Sequence, residues 1–531
     1  MKKSYSVILS IIAIINSVSL LALPYIAKYL VDEANNIYKN NASYDTFIKY
    51  LILIVVFGVL VIIGRFVYNL TYQHFDLLMQ KNLRQEIYDN LIYKDINTIN
   101  KYHRGEIEAL FVGDVDNVCN AYLEAIPGII RSFSRALLAI VLLILIGGAK
   151  YFLLIVLVAG IIMALFARLY SKIMRKKHKE VLDLDSRASS FVIETIDEAK
   201  LIQSYNAYTN ASDYYKKLNE KAYVSRRNRN RWTYTASSII SAMSSVLYVF
   251  MISFGAYLIS KDKISYGALV ALLAVLNNIY SPILNISPQI NKYNRGKASL
   301  ERIVIILKEE SNSQGEMIDD FEYIKVSNLS YSYDDREDVI KNISFEVKKG
   351  DIVRISGPSG IGKSTLLSLI LGFNKPQSGK IAFLRGNEEI EASFKTRGLI
   401  AYVSQENILF SGSIADNFKM FSNTDDINLI EDSLKKASIY DEIKSMPDGL
   451  NTVLADKGIG LSMGQIQRIM IAIAIASGRP IIILDEPTSA LDKDNEITIM
   501  NNLKALGKTL IYISHRDFRI ENEKEVKLVE E

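Results

Sequence analysis

The sequence predicts two folds in one chain: an all-α membrane domain of six helices with long helical extensions, followed by a soluble α/β domain. Three observations carry this. Six long apolar stretches lie within the first 290 of 531 residues. The chain is 49% hydrophobic yet 23% charged, with mean hydropathy +0.14, so its apolar and polar residues must be segregated. From residue 321 onward, short β-rich runs such as DIVRIS, PIIILD and TLIYIS alternate with helical stretches.

The apolar stretches lie at about 5–30, 49–71, 127–148, 151–170, 237–260 and 267–290. Each is close to the ~20 residues that cross a bilayer as a helix. The first could pass for a signal peptide, but its apolar run is too long and has no small-residue cleavage site. The connections sort by charge. Segment 172–231 holds Arg175, Lys176, Lys177, Arg226, Arg227 and further basic residues, and 72–126 holds Lys81, Arg84, Lys94, Lys101 and Arg104. The remaining connections, 31–48 and the KDK at 261–263, are short. The positive-inside rule puts both long connections and both termini in the cytoplasm. Trp232 and Tyr234, just after the basic run, fit an interfacial belt. The long connections lack Gly and Pro clusters, and QKNLRQEIYDNLIYKDI has helical apolar spacing, so the spans are expected to continue as helices beyond the membrane. The membrane domain is expected over 1–305, a polar linker over 306–320 around EESNSQGEMIDD, and the α/β domain over 321–531.

Composition excludes some chemistry. Cys119 is the only cysteine, so neither an intrachain disulfide nor a cysteine-rich metal site is available. A net charge of +4 over this length gives no general nucleic-acid-binding balance, and no nucleic-acid partner is expected.

The chemistry lies in the second half. GPSGIGKST, residues 357–365, follows the strand DIVRIS and opens the helix TLLSLIL, which is the phosphate-binding P-loop in its strand–loop–helix context. Gly357, Gly360 and Gly362 let backbone N–H groups wrap phosphates, with Pro358, Ser359, Ile361 and Thr365 completing the loop. Lys363 reaches the β- and γ-phosphates, and the Ser364 hydroxyl is a Mg²⁺ ligand. PIIILDE, residues 480–486, is a continuous apolar strand ending in two carboxylates. Asp485 is placed to hold Mg²⁺, and Glu486 is the natural general base for a water attacking the γ-phosphate. His515 ends the strand TLIYISH, where it could touch the γ-phosphate. Gln405 could reach Mg²⁺ or the attacking water, and Tyr333 could stack on adenine. In GIGLSMGQIQR, Ser462 and Gln465 form a capping box, so a helix N-terminus with unpaired N–H groups is expected there as an anion site.

The order and approximate spacing of Tyr333, GPSGIGKST, Gln405, LSMGQ, PIIILDEPTSALD and His515 resemble those of the ATP-binding-cassette (ABC) ATPase domain. The membrane half resembles the exporter branch of that superfamily. RGEIEALFVGDVDNV matches the pattern around that branch's first coupling helix, and ETIDEAKLIQSYNAY matches the one before the second, so coupling helices are expected near 111–117 and 194–204. VLADKGIGLSMGQ contains the exporter-type approach to the signature, with Asp456 at the acidic position.

The resemblance implies ATP and Mg²⁺ as cofactors and a multi-pass protein of the cytoplasmic membrane. In the family, the signature contacts the γ-phosphate of ATP held by the other subunit's P-loop. Ser462, Met463, Gly464 and Gln465 would do this here, with Asp492 at the same interface. One chain has one P-loop and one signature, so a dimer is implied. A second copy of the chain is favoured, and a paralogous half-transporter is the alternative. The implied function is ATP-driven export of a peptide, a lipid-like molecule or a drug. An importer on the same fold and a regulatory ATPase without transport are the rival readings. Four departures stand against the family pattern. Met463 replaces the usual first glycine of the signature pair, and Ile466 and Ile473 replace arginines. The amphipathic elbow helix ahead of Tyr5 is expected to be missing or very short, and the tail after His515 to be trimmed. No peptidase domain is expected ahead of the membrane part.

Within the spans, Arg65, Asn69 and Gln73 recur every four residues and share a helix face, as do Arg131 and Arg135; Asn278 and Asn285 mark the sixth span, beside Pro282 and Pro288. Ionisable groups at membrane depth either snorkel to headgroups or line a cavity. In a cavity they would favour a substrate bearing carboxylate or phosphate.

Overall fold

The computed structural model describes residues 4–39, 44–102, 104–146, 149–308, 316–333, 339–406, 408–454, 460–487, 493–514 and 519–529. The chain divides into two compact units. One comprises Met1–Tyr88 and Arg104–Leu307; the other comprises Asp89–His103 and Lys308–Glu531.

Among the described residues, the first unit is built on six long helices: α1 (Ser4–Tyr38), α2 (Tyr44–Ile92, whose last turn enters the second unit), α4 (Gly105–Leu145), α5 (Ala149–Asp197), α7 (Tyr208–Ser260) and α8 (Tyr266–Lys308). The short α3 (Ile96–Ile99) and α6 (Ala199–Ser204) join consecutive long ones. By length and composition, α1, α2, α4 and α7 can each cross a membrane, and the expected spans at 151–170 and 267–290 fall in α5 and α8. The outer surface explains the composition. Along α2, Leu51, Val55, Ile62 and Phe66 are exposed, which suits contact with lipid and not with water.

Helix α4 is not regular. It contains π-helical turns at Leu110–Asp114 and Asn120–Ala125. The π turns lie where α4 packs on α8. Ser299 Oγ donates to Asp114 at 2.7 Å and Arg302 Nε donates at 2.9 Å. A Cβ at Gly296 would come within 2.2 Å of Ala121 Cβ, so only glycine lets the two backbones approach this closely. This corrects one expectation. Residues 111–117 do not form a separate helix but lie inside α4, and the short helix between α2 and α4 is α3. The residue pattern at 104–118 is helical because α4 begins there. The second expected position, 194–204, spans the end of α5 and the separate helix α6.

In the second unit, a four-stranded antiparallel sheet has the order β2-β1-β4-β5, built from β1 (Tyr323–Tyr331), β2 (Ile340–Lys348), β4 (Ser378–Arg385) and β5 (Glu388–Glu391). A five-stranded sheet has the order β11-β3-β10-β9-β6, from β3 (Ile352–Ser356), β6 (Ile400–Val403), β9 (Ile481–Asp485), β10 (Thr509–Ile513) and β11 (Lys524–Lys527), with every described pairing parallel. Strands β9 and β10 are buried along their whole length, as continuous apolar runs predict for a sheet covered on both faces. Helix α9 (Lys363–Ile370) packs Leu366, Leu367 and Ile370 into the core between the sheets. A second core joins the five-stranded sheet to the helical lobe: α11 (Ile414–Ser422), α12 (Ile427–Lys436), α13 (Tyr440–Ser445) and α14 (Met463–Ala476). The short α10 (Phe394–Arg397) precedes β6, the paired β7 (Gly412–Ser413) and β8 (Val453–Leu454) flank the lobe, and α15 (Lys493–Ala505) follows β9.

Candidate functional site

The site is assembled at the carboxyl ends of neighbouring parallel strands, where ligands bind in open α/β sheets. Strand β10 lies between β3 and β9, with Ile513 paired to both Ile355 and Asp485. The P-loop after β3 and the two acids at the end of β9 therefore reach the same edge.

The loop turns on residues that tolerate a left-handed backbone. Gly362 has φ +100°, and a Cβ there would meet Val339 Cγ1 at 2.8 Å. Lys363 Nζ is folded back over the loop, donating to the Gly357 and Pro358 carbonyls at 3.0 and 2.8 Å. Burial pulls this ammonium below its usual range, and the negative field of Glu486 and Asp485 partly restores it. Ser364 Oγ lies 3.4 Å from Asp485 Oδ1. Asp485 is only 3% exposed, and a carboxylate this deep requires cations or donors around it. Ser364, Asp485 and the amide oxygen of Gln405 supply oxygen donors, which fits Mg²⁺.

Gln405 Nε2 donates to Glu486 Oε2 at 3.1 Å, so the expected water-positioning amide and the expected base are in direct contact. Glu486 sits at φ +50°, an uncommon conformation for a non-glycine residue that turns the chain sharply at the strand end. Tyr333 OH pairs with Thr365 Oγ1 at 3.3 Å, and its ring meets Tyr331 edge-on at 5.0 Å while remaining 43% exposed. An exposed aromatic face anchored beside the P-loop can stack on a base.

Ser462 caps α14, accepting from Gln465 N at 3.2 Å while its own N–H donates to Gln465 Oε1 at 2.8 Å. The helix start is further fixed from α13. Glu442 accepts from Arg468 Nη1 at 2.7 Å and from Gln465 Nε2 at 2.9 Å. Burial raises the Glu442 carboxyl, but these two donors outweigh it and hold it below the usual carboxylate range. Met463 opens the helix with an exposed side chain. Ile466 and Ile473, in place of the expected arginines, are buried in the helical core. Among the described residues, no hydrogen bond or ion pair joins Ser462–Gln465 to 357–365. His515, Asp492 and Asp456 lie outside the described residues.

The sequence reading missed Gln467. It is fully buried, and its Nε2 donates to the Glu486 carbonyl at 3.0 Å, tying α14 to the turn that carries the expected base. A polar residue on the apolar side of a buried helix was the available signal.

Comparison with known proteins agrees with this geometry. Residues 7–283 match the family described as the ABC transporter transmembrane region, and 340–489 match the one described as ABC transporter. The chain belongs to the ABC transporters. It is 30% identical over 448 residues to a probable ABC transporter ATP-binding/permease protein of Haemophilus influenzae, covering 82% of this chain and 79% of that one. It is 28% identical to a multidrug resistance ABC transporter ATP-binding and permease protein of Lactococcus lactis, covering 82% and 75%. Identity is also 28% to an ATP-dependent lipid A-core flippase of Burkholderia thailandensis, covering 85% and 76%. The fold is shared with a bacterial Atm1-family ABC exporter solved with ATP bound, at TM-score 0.77 and 19% identity, covering 97% of this chain and 91% of that one. This ABC transporter is thus a membrane protein of the exporter type that joins a transmembrane region and an ATPase domain in one chain and couples ATP hydrolysis to transport.

Proposed function

We propose that two copies of this chain form an exporter of the cytoplasmic membrane, which binds two ATP at its dimer interface and moves a peptide, a lipid-like molecule or a drug outward. The observation that carries the dimer is the site's incompleteness. One chain offers a P-loop on one core and a capped, anion-ready helix N-terminus on the other, with no described bond between them. The names of the multidrug and lipid A-core relatives support a substrate drawn from the cytoplasm or inner leaflet.

In this reading the P-loop amides and Lys363 hold the phosphates, and Tyr333 takes the base. Ser364, Asp485 and Gln405 would hold Mg²⁺, which would supply positive charge to offset that of the phosphates. Glu486 accepts the proton of the attacking water, oriented by Gln405. The partner copy's signature helix closes the site with its N–H groups. Transmission to the membrane runs through the turn around α3. Asn97 Nδ2 donates to Asn374 Oδ1 at 2.8 Å, and Asn374 follows Phe373, over whose ring the Arg397 guanidinium stacks at 4.7 Å.

The test is the chain expressed alone. Purified in lipid nanodiscs, it is expected to hydrolyse Mg-ATP without a partner. If it is inert alone and turns over only with a different subunit, the heterodimer takes the place of the homodimer, with Met463 marking a signature lent to a degenerate site.

A further inference from the structure

The membrane domain contains a cavity of about 510 Å³ between α1, α2, α4 and α8. Its walls carry Arg65, Arg131 and Arg135, with the amides of Asn16, Asn69 and Gln289. The arginines that the sequence placed on two helix faces therefore converge on one space. Gln73 and Asn278 do not line it, and the side chain of Asn285 is outside the described residues. Among the described residues, no acid lines this cavity and none of the three guanidinium groups is paired with a carboxylate. Arg131 instead lies over the Tyr68 ring at 5.6 Å. Arg135 Nε, Asn16 Oδ1 and Gln289 Oε1 are buried without a hydrogen-bond partner. Either amide, turned about its terminal bond, presents an N–H₂ donor in place of its oxygen.

Three cations in a low-dielectric pocket repel one another, and unmet buried polar groups are costly. Such an arrangement persists where a ligand repays it. Guanidinium forks pair bidentately with carboxylate and phosphate, and the volume suits a small-molecule head. Asn69 and Gly128 flank the 72–126 connection, so the cavity lies toward the side the basic connections assign to the cytoplasm.

We propose that this cavity is the substrate site and that it selects a multiply charged anion, a phosphate or clustered carboxylates, gripped by Arg65, Arg131 and Arg135. The assignment rests on the transporter reading and names its substrate class. The anion is either a free solute or the headgroup of a lipid.

The experiment uses the full chain in phosphatidylcholine nanodiscs without nucleotide. Its unfolding temperature is followed as citrate is titrated and, separately, as phosphatidic acid replaces part of the phosphatidylcholine. A saturable, salt-sensitive rise is expected from at least one source; citrate alone marks a solute, and phosphatidic acid a lipid headgroup. Arg131→Gln and Arg135→Gln are each expected to weaken the response roughly tenfold or more. Should those variants fold poorly, Asn16→Asp keeps the side chain's shape and supplies a counter-charge inside the cavity. It is expected to fold and to lose the response. No response to either anion, or a response unchanged by Asn16→Asp, overturns the proposal. The ATPase rate of the same preparation separates the two readings. Hydrolysis without an anion response removes the anion assignment alone, and an anion response without hydrolysis removes the homodimer reading and leaves the anion site standing.

Discussion

Replacing Gln467 with Met tests how the catalytic turn is held. The side chain is fully buried, and its Nε2 is the donor to the Glu486 carbonyl at 3.0 Å. Methionine fills a similar volume but donates nothing. Losing that hydrogen bond costs about 1 kcal/mol. The same substitution removes Gln467 Oε1, which is buried without a partner, and recovers a similar amount. The two nearly cancel, so the unfolding temperature of the ATPase domain is expected to stay within a few degrees. Catalysis has no such offset. Glu486 is held at φ +50°, a conformation costing about 1–2 kcal/mol that persists only while its surroundings impose it. Loosening the turn lets the carboxylate leave its contact with Gln405. A loss of about 1.4–2.8 kcal/mol in transition-state stabilisation corresponds to a kcat lower by roughly 10–100-fold. ATP affinity, which depends on the P-loop, is expected to be unchanged. Steady-state hydrolysis together with equilibrium binding of a fluorescent ATP analogue makes the measurement. A kcat within twofold of the wild type would refute the idea that Gln467 positions the base.

Two further outcomes follow from the signature helix. Met463→Gly is expected to preserve or raise the ATPase rate, because the phosphate contacts proposed for that position would be made by backbone N–H groups, which glycine keeps, while the exposed side chain would only limit approach; a severalfold fall would show that the methionine contributes directly. The Glu442 carboxyl is held below its unfolded value by Arg468 and Gln465 despite burial, so its contribution to stability is fully present above the ordinary carboxylate pKa and is lost as pH falls through the lowered one; Glu442→Gln should flatten the acid limb of the stability–pH profile of the ATPase domain, and an unchanged limb would remove the linkage.

The nucleotide site was legible because its chemistry is local. The P-loop, the acids at the end of β9 and the capping box are each fixed by residues within about ten positions, and the periodicity of their flanking elements gives strand or helix directly. Gln467 escaped because its partner, Glu486, lies 19 residues away and meets it only through the packing of α14 beneath β9. The helix boundaries around 111–117 were misread for a similar reason. Residues 104–118 are helical by pattern whether they form a separate helix or the start of α4, and only the fold shows that Asp89–His103 belongs with the ATPase unit. The arginine faces of α2 and α4 were visible as four-residue repeats. That they share a cavity with Asn16 and Gln289 depends on α1 and α8, which no local pattern relates to them.

The central claim is that ATP bound at this P-loop is hydrolysed by Glu486 within a dimer. Glu486→Gln preserves size and removes the base, which contributes on the order of 10²–10⁴-fold. The purified variant, incubated with Mg-ATP, is expected to retain nucleotide, to lose hydrolysis by at least about a hundredfold, and to accumulate as a closed dimer visible as a shortened distance between spin labels on the two ATPase domains. Turnover near the wild-type rate, or nucleotide binding without any closed dimer, would contradict the account.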